Sequence, residues 1–242
     1  MFSNTISPTV SPRGKYFFVF LLIALTAVTA QTADKPSPAG VLVADKGKLV
    51  IKLDGKTVGH EDFEISPSEG GWIAKGTTEI KPDQGPSEKI TGTLLLQPDG
   101  APISYDWTAQ TEKKNSARIL FANGVAKIML EMQGAKPFEQ DLTFNTALVA
   151  ILDNNLYHQY AVLARVFDWS KRGEQTFPVL IPQELTPGTI TVKYTGASKD
   201  GGKSYEGLRI TTSDLEVLLV LDASHKLMRL EVPAARVSVV RE

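Results

Sequence analysis

Several short stretches of this chain carry residue types capable of chemistry. His60, Asp62 and Glu64 stand at alternate positions. On a strand they share one face, and an imidazole with two carboxylates is a set that can hold Zn or Mn. No second histidine lies nearby, and the same alternation suits a polar outer face backed by buried Phe63 and Ile65. Ala197 to Ser204 (ASKDGGKS) fits a relaxed phosphate-loop pattern. That chemistry needs a helix after the loop, so that backbone N–H groups and the helix dipole meet phosphate. Tyr205 to Thr212 instead alternates like a strand, so a solvated hairpin loop is expected.

Two histidines and an acidic triplet complete the set. His158, flanked by Tyr157 and Tyr160, is expected to hydrogen-bond a carbonyl from a partly buried position. A ligand-facing or catalytic imidazole is the alternative. His225 lies in a turn with Asp222 and Ser224, too close in sequence to imply a Ser-His-Asp arrangement, which is spatial. Asp153-Asn154-Asn155 echoes the start of a calcium loop. The glycine at the sixth position is missing, and Ala164 stands where the closing glutamate belongs, so a helix break or cap is expected. The expectation is therefore no catalytic residue, no metal and no cofactor.

The elements that must position these groups are mostly strands. Lys48–Leu53 alternates polar and apolar residues, and Asp54-Gly55 turns it into Thr57–Ile65. Trp72–Ile80, Lys89–Leu96 and Ile103–Gln110 follow, separated by turn-forming stretches. Arg118–Phe121 and Val125–Met132 flank Asn123-Gly124, a strong two-residue hairpin signal. Phe138–Phe144, Val179–Ile181, Thr189–Thr195, Ser204–Thr212, Glu216–Leu221, Leu227–Val232 and Arg236–Val240 continue the theme. Such spacing predicts one antiparallel meander. The exception is Thr146–Asp168. There Leu148, Leu152, Leu156, Tyr160, Leu163 and Phe167 recur every three or four residues, which predicts a helix capped by Thr146 and split near Asp153-Asn154-Asn155. A lone amphipathic helix buries its face against the sheet. The fold class is thus mainly β: a curved antiparallel sheet, a half-open or closed barrel, around one helix region at about 146–168.

Composition narrows the function classes. The 242 residues are 42% apolar and 22% charged, too apolar for disorder. A net charge of -1 offers no drive toward nucleic acid. The absence of cysteine excludes disulfides, thiolate chemistry and a lipidated N-terminal cysteine. The N-terminus reads as an export signal: Arg13 and Lys15, then the apolar run Tyr16–Val28, then Val28-Thr29-Ala30. The run is too short to span a bilayer. Residues 1–30 are expected to be a signal peptide cleaved after Ala30, and 31–44 a flexible linker. Residues 45–242 are expected to form a single domain. Loss of Arg13 and Lys15 takes the net charge from -1 to -3. The expected location is periplasmic or extracellular, with no integral span after cleavage.

Aromatic residues gather in the middle of the chain. If the sheet is only half closed, Trp107, Phe121, Phe144, Tyr157, Tyr160 and Phe167 are the candidate lining of a cavity for an apolar or lipid-like ligand.

Three stretches carry a family resemblance. They are Gly55-Lys-Thr-Val-Gly59-His-Glu-Asp-Phe-Glu-Ile65, then Tyr105-Asp-Trp107 after Pro102, then Leu152-Asp-Asn-Asn-Leu-Tyr-His158 with Leu163-Ala-Arg165. In this order they resemble exported bacterial domains of the DUF3108-like kind. At the level of fold these look like the half-barrel lipoprotein carriers of the LolA/LppX type. The resemblance implies a curved antiparallel sheet and brings no active-site residues. The reading that follows is a non-enzymatic exported envelope protein that binds an apolar or lipid-like ligand. The alternatives are a structural or assembly factor with a filled barrel acting through an envelope protein partner, and, as a minor one, a hydrolase.

Overall fold

The computed structural model describes residues 41–242, except 83, 84, 112 and 213. The expected signal peptide and most of the expected linker lie outside the described residues.

The strands form one sheet of 15. In chain order they are β1 (Asp45–Leu53), β2 (Lys56–Ser68), β3 (Gly71–Ile80), β4 (Glu88–Leu96), β5 (Pro102–Gln110), β6 (Lys114–Ala122), β7 (Val125–Met132) and β8 (Phe138–Thr143). The short β9 (Ala150–Ile151) precedes the helix α1 (His158–Val166). Then come β10 (Glu174–Ile181), β11 (Thr186–Asp200), β12 (Lys203–Thr211), β13 (Glu216–Asp222), β14 (Leu227–Val232) and β15 (Val237–Arg241). Spatially the order runs from β8 down to β1, then from β15 down to β9. The two halves are meanders that join where β1 pairs with β15, and the free edges are β8 and β9. The sheet is therefore curved and open, as a mainly-β reading requires.

Local chemistry explains the hairpins. Asp54-Gly55 and Asn123-Gly124 both take positive φ at both positions (51° and 79°; 51° and 74°), the geometry that matches the right-handed twist of the flanking strands. The stretch Ala197–Ser204 contains no phosphate loop. It is the tip of the long β11–β12 hairpin, and Asp200 pairs with Lys203 across Gly201-Gly202. Two corners, β10–β11 and β14–β15, share one device that sequence reading overlooked. Each is a single 3-10 turn opened by a proline (Pro182, Pro233) and ended by a left-handed residue (Leu185, φ 52°; Arg236, φ 56°).

The helix is shorter than its periodicity predicts. Residues 146–157 are not helical. Thr146 makes a local turn, accepting from the Leu148 N–H at 3.2 Å, rather than capping a helix. Ala150 and Ile151 pair in parallel with Val179 and Leu180 of β10. Asn155 adopts φ 63°. The apolar repeat is real, but its first half satisfies its backbone by joining the sheet edge, and Asp153-Asn154-Asn155 halts any continuation. What remains, α1, is buried at seven of its nine positions and packs against β3 and β14, which lie on different sides of the β1–β15 junction. It fills the concavity of the sheet. Among the described residues no helix is long and apolar enough to cross a membrane.

Candidate functional site

The best-built constellation sits where the chain enters α1, against the inner face of β2–β5. Alternation along β2 sends Glu61, Phe63 and Ile65 inward and His60, Asp62 and Glu64 outward. Glu61 thereby becomes a fully buried carboxylate. Its Oε2 accepts the backbone N–H groups of Tyr157 (2.8 Å) and His158 (3.1 Å). These are among the N–H groups a helix start leaves unpaired, so Glu61 caps α1 from another strand. Its Oε1 meets Nδ1 of His158 at 2.5 Å, and both side chains have 0% exposure. With the proton on Nδ1, the imidazole donates to the carboxylate. Phe63 stacks over the same ring at 6.4 Å and 15°.

Two glycines make this approach possible. Gly76 on β3 and Gly92 on β4 are cross-strand partners, bracketed in the same row by Phe63 on β2 and Trp107 on β5. A Cβ on Gly76 would lie 2.3 Å from His158 Nδ1 and 2.4 Å from Glu61 Oε1. A Cβ on Gly92 would lie 2.7 Å from Leu156 Cδ1. The row is floored with glycine so that Leu156 and His158 can seat against backbone.

A second polar cluster anchors the segment before the helix. Asp153 Oδ2 accepts from the Tyr105 hydroxyl at 2.8 Å, and Oδ1 accepts from the N–H groups of Asn154 (3.1 Å) and Gln183 (3.2 Å). The Gln159 side chain accepts from the Asp153 N–H at 2.5 Å. Burial raises the Asp153 carboxyl to about 7, against the opposing pull of its hydrogen bonds. Burial likewise pushes the Tyr105 phenol well up, and Tyr160 to about 12.

The six expected lining residues belong to the core or pack against it. Trp107, Tyr157 and Phe167 are buried, and Phe121, Phe144 and Tyr160 are half-buried, all packed into one core. Phe167 meets Trp169 edge-on at 5.1 Å. A small, partly open pocket beside α1 measures about 20 Å³, and none of the six lines it. Its walls include Leu94, Leu96, Val162, Val166 and Phe177, with Gln159 the one polar side chain. That is room for about one water, where a drug-sized ligand takes roughly 300–1,000 Å³.

His158 differs from expectation in its partner, a carboxylate instead of a carbonyl. His60 faces an open groove of about 430 Å³ on the outer side of β1–β3, with Lys48, Lys81, Glu79 and Glu242 around it. His60 and Asp62 approach to 3.5 Å. Among the described residues no three His, Asp or Glu side chains converge as metal ligands. His225 sits at a turn with φ 58° and stacks on Trp169 at 3.7 Å. Burial, aided by nearby Arg165, lowers its pKa. Ser224 and Lys226 donate to Asp222, a local turn rather than a triad. Sequence reading missed Glu61, Gly76 and Asp153's partner Tyr105. For Glu61 the signal was present: it alternates with Phe63 and Ile65.

This arrangement defines a β-barrel-like domain whose concavity holds its own helix. One solved structure agrees at the level of fold. A β-barrel-like protein of the domain of unknown function DUF1849 from Brucella abortus superposes with a TM-score of 0.55 at 13% identity, covering 83% of this chain and 95% of that one. A DUF1089 family protein from Pseudomonas aeruginosa gives 0.46 at 10% identity, over 87% of this chain and 98% of that one. No family model matches the chain, and no curated protein matches it. The finer likenesses, to DUF3108-like domains and to the LolA/LppX-type carriers, are not shown by these comparisons.

Proposed function

We propose that this is a non-enzymatic, exported envelope protein whose filled barrel acts through contacts with other proteins. One observation carries the reading: α1 lies in the concavity that a carrier would use, buried at seven of its nine positions, and the pocket beside it measures about 20 Å³. The helix is held there by Glu61 and by the Tyr105–Asp153–Gln159 cluster, so the filling is specified by polar contacts as well as by apolar packing. Export rests on the sequence of residues 1–30. Against an enzyme stands the burial of the Glu61–His158 pair, which no substrate reaches in this conformation.

The lipid-carrier reading retains one support, the apolar wall of the small cavity. The deciding experiment is purification of the mature protein from its native envelope without detergent, followed by organic extraction and mass spectrometry. The filled-barrel reading expects no stoichiometric lipid relative to a control protein. A stoichiometric apolar molecule overturns it in favour of a carrier.

A further inference from the structure

The sheet has a free edge at β8, and its chemistry selects an occupant. The β6–β7–β8 registers fix which backbone groups are spare. Ala122 pairs with Val125 across the two-residue turn, and the Phe144 N–H donates to Gly124 O at 2.7 Å. In an antiparallel ladder, hydrogen-bonded pairs alternate. Phe138, Gln140 and Leu142 therefore bond to β7, while the N–H and C=O groups of Glu139, Asp141 and Thr143 point away from it. No hydrogen bond to these outward groups occurs among the described residues. The side chains of the same three residues are exposed on the outer face, and Phe138 is 41% exposed at the start of the strand, with Met132 equally open (41%) at the end of β7.

Charge decides between occupants. Antiparallel pairing of two copies about Gln140 sets Glu139 against Asp141, and pairing about Asp141 sets that carboxylate against its own mate. Like charges directly opposite are destabilising. On the inner side of the ladder one lysine, Lys127, serves both acids: it lies across from Asp141 and reaches Glu139 at 3.7 Å. A strand added on the open side would complete the pattern with Lys or Arg opposite each carboxylate. In these two registers the charges disfavour a second copy, and in every register they favour a basic partner.

We propose that β8 is a docking edge for an extended segment of another protein, with lysine or arginine at alternate positions and apolar residues between. This names the partner chemistry of the filled-barrel reading and rests on it. Strand addition supplies affinity through the spare backbone groups, and the alternate side chains supply specificity.

The test uses the mature protein, isotope-labelled, with a short synthetic peptide alternating lysine and valine and a control alternating glutamate and valine. The basic peptide is expected to shift the amide resonances of Glu139, Asp141 and Thr143 and to slow their hydrogen exchange by roughly tenfold or more. The acidic control is expected to do neither. Asp141→Pro removes a donor aimed away from β7 and is expected to abolish the effect. The double change Glu139→Lys with Asp141→Lys is expected to exchange the peptide preference and does not depend on proline being tolerated. Equal responses to both peptides, or no response at these amides, would overturn the proposal. So would protection that grows with protein concentration alone, since that outcome assigns the edge to a second copy. Lipid in the native extract would instead defeat the functional reading while leaving the peptide result standing.

Discussion

Glu61 and His158 are 97 residues apart in the chain and meet at 2.5 Å in the centre of the molecule. One side chain comes from the second strand and the other from the first turn of the only α-helix among the described residues. The contact joins the N-terminal meander to the element that fills the barrel, and the same carboxylate caps that element. Glu61→Ala removes the cap and leaves the imidazole and two N–H groups buried without their partner. Each buried donor left without its acceptor costs about 1–3 kcal/mol. Urea unfolding followed by circular dichroism is expected to show a loss of that size. A loss below about 1 kcal/mol, in the range of an exposed ion pair, would mean that α1 is held by apolar packing alone.

The glycine floor gives an independent check on the same docking. Gly76→Ala places a methyl group 2.3 Å from His158 Nδ1, and both neighbours are hemmed in. The helix start must shift or the strand must bend. Overpacking of this kind costs typically 1–3 kcal/mol. Gly92→Ala meets the end of a leucine side chain at 2.7 Å and is expected to cost less. Thermal unfolding of the two variants should rank them in that order, and the reverse order would place the tighter contact at Leu156.

How much of this was legible in the chain differs by element. The strands follow from two-residue alternation and from Asp-Gly and Asn-Gly turns, which act locally and so survive without knowledge of the fold. The helix was half legible. Leu148, Leu152 and Leu156 keep a helical spacing yet lie outside α1, because spacing records burial on one side and not the backbone that delivers it. Ala150 and Ile151 found their hydrogen bonds on β10, a partner distant in sequence. The aromatic set was sound as core and silent about a chamber, since a filled wall and a lined wall call for the same residues. Glu61 was readable by parity beside Phe63 and Ile65. Its partner was not, because only the curvature of the whole sheet brings β2 to the helix.

The clasp between the first and last strands should resist conservative change poorly. Arg241 donates to both oxygens of Asp45, from Nη2 at 2.6 Å and Nη1 at 3.0 Å, and also to the Lys46 and Leu227 carbonyls. Asp45 is 7% exposed. Lysine keeps the charge but lacks the planar fork. Arg241→Lys is expected to lose about 1–2 kcal/mol, in keeping with the worth of charge-assisted hydrogen bonds, and Arg241→Met more, since it leaves the buried carboxylate with Lys226 at 4.0 Å in place of the guanidinium. Unfolding in urea at neutral pH measures both. Equal stability of Arg241→Lys and the parent would show that the clasp acts through charge alone.

Asp153 makes the stability of the barrel depend on pH in an unusual direction. Its carboxyl is raised from 3.8 to about 7, chiefly by burial, so the folded protein holds a proton that the unfolded chain has released. Between those two values the folded state binds more protons, and stability falls as pH rises. The contribution is fully present below about pH 4 and is lost as the pH climbs through about 7. A shift of this size corresponds to on the order of 4 kcal/mol. Asp153→Asn keeps the shape, with its oxygen accepting the Asn154 and Gln183 N–H groups and its NH2 turned to the Tyr105 hydroxyl oxygen, while removing the titration. Other carboxylates run the opposite way at lower pH: Asp168 is held down by Ser170 and Glu79 by Lys89. The informative quantity is therefore the stability difference between parent and Asp153→Asn, measured by urea unfolding at intervals from pH 4 to pH 8. That difference is expected to move steadily against the parent across the window and then level off. A flat difference would mean that Asp153 ionises alike in both states, its hydrogen bonds from Tyr105, Asn154 and Gln183 offsetting the cost of burying the charge.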